Sequence, residues 1–224
     1  MGCHNKRKKE MKNFKLVLTT LLCSAFSLAV MAQTGQEILD DLSKSAKTYK
    51  TIFAEYESKL IADGVDQTQK GKVYVEGEKY NLELGNYNII TDGETIWTFD
   101  KSSNECYVDN LEDLGDDTMS PAKMFTIWED NFKNELKGTL DVNGKPHHHV
   151  NLYPNNQADQ TYHTIQLYID QAKMEVTKFV VKGRDGTDVI YSISNFNPNM
   201  TMPSGIFNFS AAKHPGVEII DNRI

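Results

Sequence analysis

The sequence predicts a mainly β protein of the α+β class, in which an antiparallel sheet curls around an apolar interior. From about residue 52 onward, apolar and polar side chains alternate with a period of two, and turn-forming dipeptides separate the alternating segments. Short connections between successive strands favour antiparallel neighbours. Two other segments have the helical period and wide apolar faces. We therefore expect about ten or eleven strands and two helices in one domain over residues 33–224.

The stretch from 91 to 109 illustrates the strand pattern. Two short runs rich in aromatic and β-branched residues flank a polar turn, which is typical of a β-hairpin. We expect Trp97 to lie near Tyr107 on one face, and Ile96 near Val108 on the other. Both faces would then be apolar, whereas a sheet with one solvated face has a polar stripe. Other parts of the chain should therefore cover both sides.

Residues 1–32 are interpreted as a cleaved export signal. A basic beginning precedes a mostly apolar run over 16–30, and a small residue, Ala32, ends the segment. The run is too short for a spanning helix with comfortable flanks, so we expect cleavage before Gln33 rather than anchoring. Cys23 raises the alternative of a lipid-modified cysteine, but the two bulky leucines before it fit such a site poorly.

Removal of the signal leaves a strongly acidic chain. The full sequence has a formal net charge of −7, and residues 1–32 hold six basic side chains and one acidic one, so the mature charge is about −12. That charge repels nucleic acid, and we expect no nucleic-acid partner. Cys106 is the cysteine that remains after cleavage, and we interpret it as a buried small side chain rather than a catalytic thiol.

The first helix is predicted from Gln33 to about Thr51. Thr34 and Glu37 have the spacing of a capping box. Apolar residues follow at helical spacing, namely Ile38, Leu42, Ala46 and Tyr49. This apolar stripe indicates either a helix packed on the sheet or a helix that partly covers a cavity.

The second helix is predicted to begin at Ser120 and Pro121, because Ser caps a helix well and Pro is tolerated at the first helical position. Its apolar face comprises Met124, Phe125, Trp128 and Phe132. Burial of each such side chain is worth about 1.5 to 3 kcal/mol. The face therefore belongs to the core or to a movable cover over a ligand site.

The second half of the chain contains five further strands, with a hairpin around Gln157. In this hairpin the apolar residues are expected to share one face, namely Val150, Leu152, Ile165 and Leu167. Its polar residues, which include Asn151 and Gln166, would lie on the other face.

Catalytic and metal-binding patterns are weak throughout. Neighbouring residues of a strand point to opposite faces, so of the three consecutive histidines only His147 and His149 are able to share a metal. Carboxylates or cysteines at ligand spacing do not complete such a site, and Ser204 lies in a turn without an evident base. We expect no metal, no cofactor and no enzymatic activity.

Three motifs carry a resemblance to a known family. They are the segment TDGETIWTF at 91–99, Ser-Pro at 120–121, and Phe-Asn-Phe at 207–209 followed by GVEIID at 216–221. In this order and spacing, the chain resembles the periplasmic outer-membrane lipoprotein carriers of the LolA family. The resemblance implies an incomplete, strongly curved antiparallel β-barrel, with helices forming a lid over an apolar cavity.

The resemblance also implies a function and partners. Proteins of this family are non-enzymatic periplasmic chaperones of Gram-negative bacteria. They accept acylated lipoproteins from an inner-membrane ATP-driven exporter and pass them to the outer membrane or its receptor. We expect a monomer. One departure is that Glu78 and Lys79 replace the family's Arg-Pro, so Lys79 is a candidate lid latch that lacks the planar fork of Arg.

Ten residues are expected to line the cavity or the lid: Ile38, Leu42, Tyr56, Trp97, Phe99, Met124, Trp128, Leu152, Ile165 and Leu167. Three alternatives remain open. The first is a scaffold that carries or senses a different lipid, the second is an interaction module without a cavity, and the third is an exported hydrolase that uses Ser204.

Overall fold

The computed structural model describes residues 33–114, 121, 126–129, 131–156 and 160–223. Within them the chain forms one 12-stranded sheet and one complete α-helix, and Pro121 is also helical. The elements are α1 (Gly35–Ala46), β1 (Ile52–Ala62), β2 (Val65–Glu76), β3 (Lys79–Leu84), β4 (Tyr87–Thr91), β5 (Thr95–Asp100), β6 (Glu105–Asn110), β7 (Phe132–Val142), β8 (Lys145–Pro154), β9 (Tyr162–Asp170), β10 (Glu175–Gly183), β11 (Asp188–Pro198) and β12 (Glu218–Asp221). Short 3-10 helices span Leu111–Leu114, Ile127–Glu129 and Ala211–Lys213. No helix of the described residues is long and apolar enough to cross a membrane.

Two antiparallel meanders make up the sheet. Strands β1 to β6 pair in chain order, as do β7 to β11, and β1 pairs with β11 to join the two meanders. The last strand, β12, adds to β6 in parallel. Because β7 and β12 are the two outer strands, the sheet stays open as a curved half-barrel, and the predicted fold class is confirmed.

The capping box at the start of α1 is confirmed. Thr34 Oγ1 accepts a hydrogen bond from the Glu37 backbone N–H at 3.2 Å, and Glu37 Oε2 accepts one from the Thr34 backbone N–H at 2.8 Å. The helix ends at Ala46, earlier than the predicted end near Thr51. Just beyond it, the Lys50 backbone N–H donates to Asn199 Oδ1 at 2.7 Å, which ties the chain to the end of β11 instead.

The β5–β6 hairpin pairs one residue away from the expected register. Trp97 lies opposite Val108, and Thr98 lies opposite Tyr107. A four-residue turn shifts the pairing, since Asn104 adopts a positive φ of 59° there. As a result, one face of the hairpin is apolar and the other is largely polar, so the expectation of two apolar faces is wrong.

The β8–β9 hairpin has the expected register. Val150 lies opposite Leu167, and Leu152 lies opposite Ile165. All four of these residues are buried in one apolar cluster. The alternation of side chains along a strand was sufficient to assign this face correctly.

The predicted end of the second helix is wrong. Phe132 is the first residue of β7, and Trp128 lies in the 3-10 helix Ile127–Glu129. Asn131 has a positive φ of 61°, a left-handed conformation that interrupts the helix before Phe132. Its carbonyl accepts a hydrogen bond from the Asn155 backbone N–H at 2.8 Å, which joins this point to the end of β8. The predicted helical residues 120, 124 and 125 lie outside the described residues.

Three apolar clusters stabilise the fold. We call the face of the sheet that contacts α1 the inner face and the opposite side the outer face. The first cluster lies between α1 and the inner face of β8 and β9, and the second continues along the inner face of β1, β2 and β3. The third lies on the outer face of β5 and β6, beneath residues 203–217, which we call the tail.

Candidate functional site

The candidate site is the inner face of β8 to β10 together with α1, which covers it. Ile38 is fully buried and Leu42 is 3% exposed. They pack in the same cluster as Leu152, Ile165 and Leu167 on the sheet. Together with Trp128, six of the ten residues expected at the site are therefore brought together, and the apolar stripe of α1 packs on the sheet as its spacing indicated.

Trp128 joins the same cluster from a different element. Its side chain is 7% exposed, and its indole Nε1–H donates a hydrogen bond to Ser43 Oγ on α1 at 2.8 Å. Beside it, Lys47 Nζ lies 3.2 Å from Glu129 Oε1. Trp128 and α1 thus form one continuous cover over the inner face, which we call the lid.

A small apolar space remains under the lid. Its volume is about 20 Å³, and it is lined by Leu42, Ala46, Tyr49, Trp128, Met174, Glu175, Val176 and Phe196. Pockets that hold small ligands have volumes of roughly 300 to 1,000 Å³. The described residues of the lid therefore pack closely on the inner face of β8 to β10, which is a closed arrangement at this place.

Glu175 places a carboxylate on the wall of this apolar space. Burial raises the pKa of Glu175 above its ordinary value, and the nearby Lys173, whose Nζ lies 3.8 Å from Glu175 Oε2, partly opposes that shift. Burial also raises the pKa of Tyr49, and the charge of Glu175 raises it further. A titratable pair is thus located at the edge of the closed site.

A second, larger hollow lies beside α1 and also borders Trp128. This groove is open to solvent and has a volume of about 470 Å³. The described residues that line it are Gln36, Leu39, Asp40, Ser43, Lys44, Lys47, Trp128 and Glu129. Trp128 borders both the groove and the apolar space.

Tyr56 lies on the inner face but in the second cluster, away from α1. Its hydroxyl donates a hydrogen bond to the Glu83 carbonyl at 2.7 Å, and burial raises the pKa of Tyr56. The ring occupies the space above Gly71, where a Cβ atom would lie 2.5 Å from it. Gly71 is therefore needed to seat Tyr56, a role that the sequence pattern did not reveal.

The structure does not bring Trp97 and Phe99 to the lid. Both lie in the third cluster on the outer face, with Phe99 only 4% exposed. The rings of Phe209 and His214 from the tail cover Phe99 at centroid distances of 5.4 Å and 4.2 Å. Trp97 and Phe99 alternate along β5 with Ile96, which lies in the second cluster on the inner face. This alternation places both rings on the outer face.

Two other expected site residues are not part of the described lid. Lys79 is exposed at the start of β3, on the same face as Asn81, and makes no hydrogen bond or ion pair within the described residues. Its latch role stays a prediction. Met124 lies outside the described residues.

The histidine-rich segment is an ordinary part of β8. His147 is 2% exposed, and its Nδ1 lies 2.9 Å from the Lys145 carbonyl oxygen. His149 stacks on Tyr168 at a centroid distance of 4.8 Å. In the part of the chain that the structure describes, no three His, Cys, Asp or Glu side chains are grouped to hold a metal ion.

Sequence reasoning missed Leu39 and Ser43. Leu39 is 2% exposed and packs in the first cluster, although the predicted stripe began at Ile38 and continued at Leu42. Leu39, Leu42 and Ala46 follow the same helical spacing, which therefore widens the stripe. Ser43 is polar and is not part of the stripe, but it follows Leu39 by one turn and borders the stripe, where its Oγ accepts a hydrogen bond from the indole of Trp128.

Comparison with known proteins identifies one family and several similar folds. A family model described as outer membrane lipoprotein carrier protein LolA matches residues 45–210. A search of curated proteins returned no match. Among solved structures, an uncharacterized conserved protein from Thermus thermophilus is similar, with 12% identity and a TM-score of 0.56, over 85% of this chain and 100% of that one.

Two further solved structures are similar more loosely. A LolA superfamily protein from Nitrosomonas europaea has 13% identity and a TM-score of 0.41, over 80% of this chain and 99% of that one. The lipoprotein LppX from Mycobacterium tuberculosis has 11% identity and a TM-score of 0.45, over 76% of this chain and 100% of that one. Of the three structures, the Thermus protein superposes closely enough to support the fold.

Proposed function

Because the chain belongs to the LolA family of outer membrane lipoprotein carrier proteins, we propose that it binds the acyl chains of lipoproteins on the inner face beneath the lid. Family membership indicates apolar-ligand or lipoprotein binding as the class of function. The more specific proposal is a periplasmic carrier without enzymatic activity. It would receive acylated lipoproteins from an inner-membrane ATP-driven exporter and release them to the outer membrane or its receptor.

One observation supports the proposal: side chains of the lid cover an apolar face of the sheet. We infer that the lid is able to leave this face. Among the described residues, α1 is joined to the sheet and to Trp128 by side-chain contacts, such as Asn134 Nδ2 donating to Gln36 Oε1 at 2.7 Å. In the described part of the chain no backbone hydrogen bond joins α1 to the sheet, so displacement of the helix breaks side-chain contacts rather than a backbone ladder. The residues exposed on the sheet would then be apolar, as acyl chains require.

The closed arrangement also suits release of the ligand. Burial of roughly fourteen methylenes at about 0.8 kcal/mol each would contribute about 11 kcal/mol, which would make release slow. Leu42 and Trp128 pack against the inner face of the sheet. Because the ligand must displace these apolar side chains, their return offsets part of the binding free energy.

The proposed function is tested first by ligand identification. The protein is purified from the envelope of its own host and analysed by native mass spectrometry, and a bound acylated protein is expected. Recovery of a free lipid instead would indicate a carrier or sensor for another apolar ligand. An empty protein with a stable protein partner would contradict the proposal and indicate an interaction module.

A substitution tests the site itself. Trp128→Asp places a charge in the lid and is expected to abolish co-purification of lipoproteins while the sheet remains folded, as measured by immunoblotting of cargo and by circular dichroism. Val65→Asp is the matched control, since Val65 is 44% exposed at the tip of the β1–β2 hairpin. An undiminished cargo yield from the Trp128 variant would count against the proposed site.

A further inference from the structure

Glu175 places a formal charge in an otherwise apolar wall. Of the described side chains that line the space of about 20 Å³ beneath the lid, it is the one that is charged. The Glu175 side chain is only 19% exposed. An ionised carboxylate in apolar surroundings costs free energy unless it accepts hydrogen bonds or is paired. The packing of the inner face therefore does not account for a carboxylate at this position.

The turn before β10 fixes the place of Glu175, which is the first residue of that strand. Asp170 Oδ1 accepts hydrogen bonds from the backbone N–H groups of Ala172 and Lys173, at 2.8 Å and 3.1 Å. The Met174 backbone N–H donates to the Asp170 carbonyl at 2.9 Å. Because Asp170 is 4% exposed, water competes little for these bonds. The carboxylate of Glu175 thus extends from a well-bonded end of the sheet and is not part of the lid.

The polar partners of the Glu175 carboxylate are weak. Lys173 Nζ lies 3.8 Å from Glu175 Oε2, which is longer than a hydrogen bond. The Lys173 side chain is also 61% exposed, so solvent screens this ion pair. Tyr49 lines the same space and feels the charge of Glu175, but no hydrogen bond joins the two side chains. Within the described ranges, the carboxylate therefore keeps acceptor positions that no donor fills.

The chemistry of this carboxylate distinguishes between the polar ends of ligands. An amphiphile with its tail on the inner face would bring its polar end to the boundary with water, where Glu175 lies. A ligand N–H would donate to the carboxylate, and hydrogen bonds to an ionised acceptor are among the strong ones. An ester offers acceptors only and would leave the carboxylate buried and unpaired. A ligand carboxylate would place a second negative charge beside the first.

We propose that Glu175 selects ligands whose polar end carries an N–H donor next to the acyl chain, either an amide or an ammonium group, and disfavours ligands that end in a carboxylate. The inference rests on the proposed function, since it assumes that an acyl chain lies on the inner face. It adds which polar end accompanies that chain. Free fatty acids are thereby excluded as preferred ligands.

The test compares fluorescent probes that share one chain and differ at the polar end. They are 11-(dansylamino)undecanoic acid, its methyl ester, its N-methylamide and the corresponding primary amine. Fluorescence titration at about pH 8, where a carboxylate is ionised, is expected to give a Kd for the N-methylamide about tenfold below that for the methyl ester. The acid is expected to bind most weakly. The ranking of amide and amine identifies whether the preferred donor is neutral or cationic.

Substitutions assign this preference to one side chain. Glu175→Leu removes the acceptor and is expected to abolish the preference for amide over ester and to strengthen binding of the acid. Glu175→Gln keeps a neutral acceptor, so a preference of about two- to fivefold is expected to remain. Glu57→Gln, at an exposed position on β1, is the matched control and is expected to behave as the parent. Circular dichroism checks that each variant is folded.

The outcomes separate this inference from the proposed function. An equal preference for amide over ester in the parent and in Glu175→Leu would overturn the role of Glu175 and leave the proposed function standing. An equal weakening of all four probes in Glu175→Leu would indicate a structural role and would also overturn selection. Failure of the parent to bind any probe, together with the absence of an acylated species from the native protein, would overturn both proposals.

Discussion

The two faces of the sheet are covered by segments that attach in different ways. On the inner face, α1 contacts the rest of the described chain through side chains, including the bond between Trp128 and Ser43 at 2.8 Å. On the outer face, the backbone of the tail takes part directly. Asn81 Nδ2 donates to the Ile206 carbonyl at 2.7 Å, and Asn104 Nδ2 donates to the Pro215 carbonyl at 3.3 Å.

The tail is held further by the strand that follows it. Strand β12 pairs in parallel with β6, and the Asn222 backbone N–H donates to the Val108 carbonyl at 2.9 Å. Detachment of the tail would therefore break a strand ladder and leave backbone groups unpaired, which is costly. Detachment of α1 breaks apolar contacts and a few side-chain bonds. On this comparison we expect the outer cover to be the more firmly attached of the two, and the inner cover to open more easily.

The largest expected loss in the free energy of unfolding comes from a substitution in the third cluster, on the outer face. Phe99→Ala should lower the free energy of unfolding by about 3 to 5 kcal/mol, because Phe99 is buried between the sheet and the tail and leaves a cavity. Urea denaturation measures this loss. Tyr107→Ala, at an exposed position on β6, is the control and should change the midpoint little. A small loss for Phe99→Ala would mean that the tail detaches as easily as the lid.

A smaller loss in the free energy of unfolding is expected from a substitution beneath the lid. Ile38→Ala should cost about 2 kcal/mol, at the low end for a buried Ile, because α1 is able to detach as a unit before the sheet unfolds. Hydrogen exchange should accelerate in residues 35–46 and stay unchanged in β5 and β6. Uniform acceleration over the whole sheet would contradict independent opening of α1.

A still smaller loss of stability is expected when the N-terminal cap of α1 is removed. Thr34→Ala removes the side-chain acceptor for the Glu37 backbone N–H and should cost about 1 kcal/mol of helix stability. Amide exchange in the first turn of α1 is the measurement. Thr34→Ser retains the acceptor and serves as the control, so equal exchange in the two variants would argue against the capping box.

The smallest expected effect depends on pH and concerns Glu175 at the edge of the apolar space. Because burial raises its folded-state pKa, the folded protein binds this proton more tightly than the unfolded chain, and the resulting stability is lost as pH rises above the ordinary value of 4.5. Glu175→Gln, which does not titrate, should therefore gain stability relative to the parent between about pH 4 and pH 7. Thermal unfolding over this range measures the difference, and a constant difference would exclude titration of Glu175.

Local patterns predicted most of the secondary structure, and six of the ten residues expected at the site lie in one cluster. The capping box of Thr34 and Glu37 and the shared face of Leu152 and Ile165 follow from spacing alone, and both are confirmed. Spacing did not reveal the register of β5 and β6, because the turn between them depends on the left-handed backbone of Asn104. The end of the second helix was missed for a related reason, since Asn131 adopts a left-handed conformation just before β7.

The sequence by itself determined that this protein is a mainly antiparallel sheet with an amphipathic helix, because side-chain periodicity is a local property of the chain. Only the tertiary structure decided which apolar residues meet. Trp128 and Ser43 are 85 positions apart, and Phe99 is covered by the tail rather than by α1. Such contacts depend on strand register and on the curvature of the whole sheet, and a one-residue shift in register moves a side chain to the opposite face.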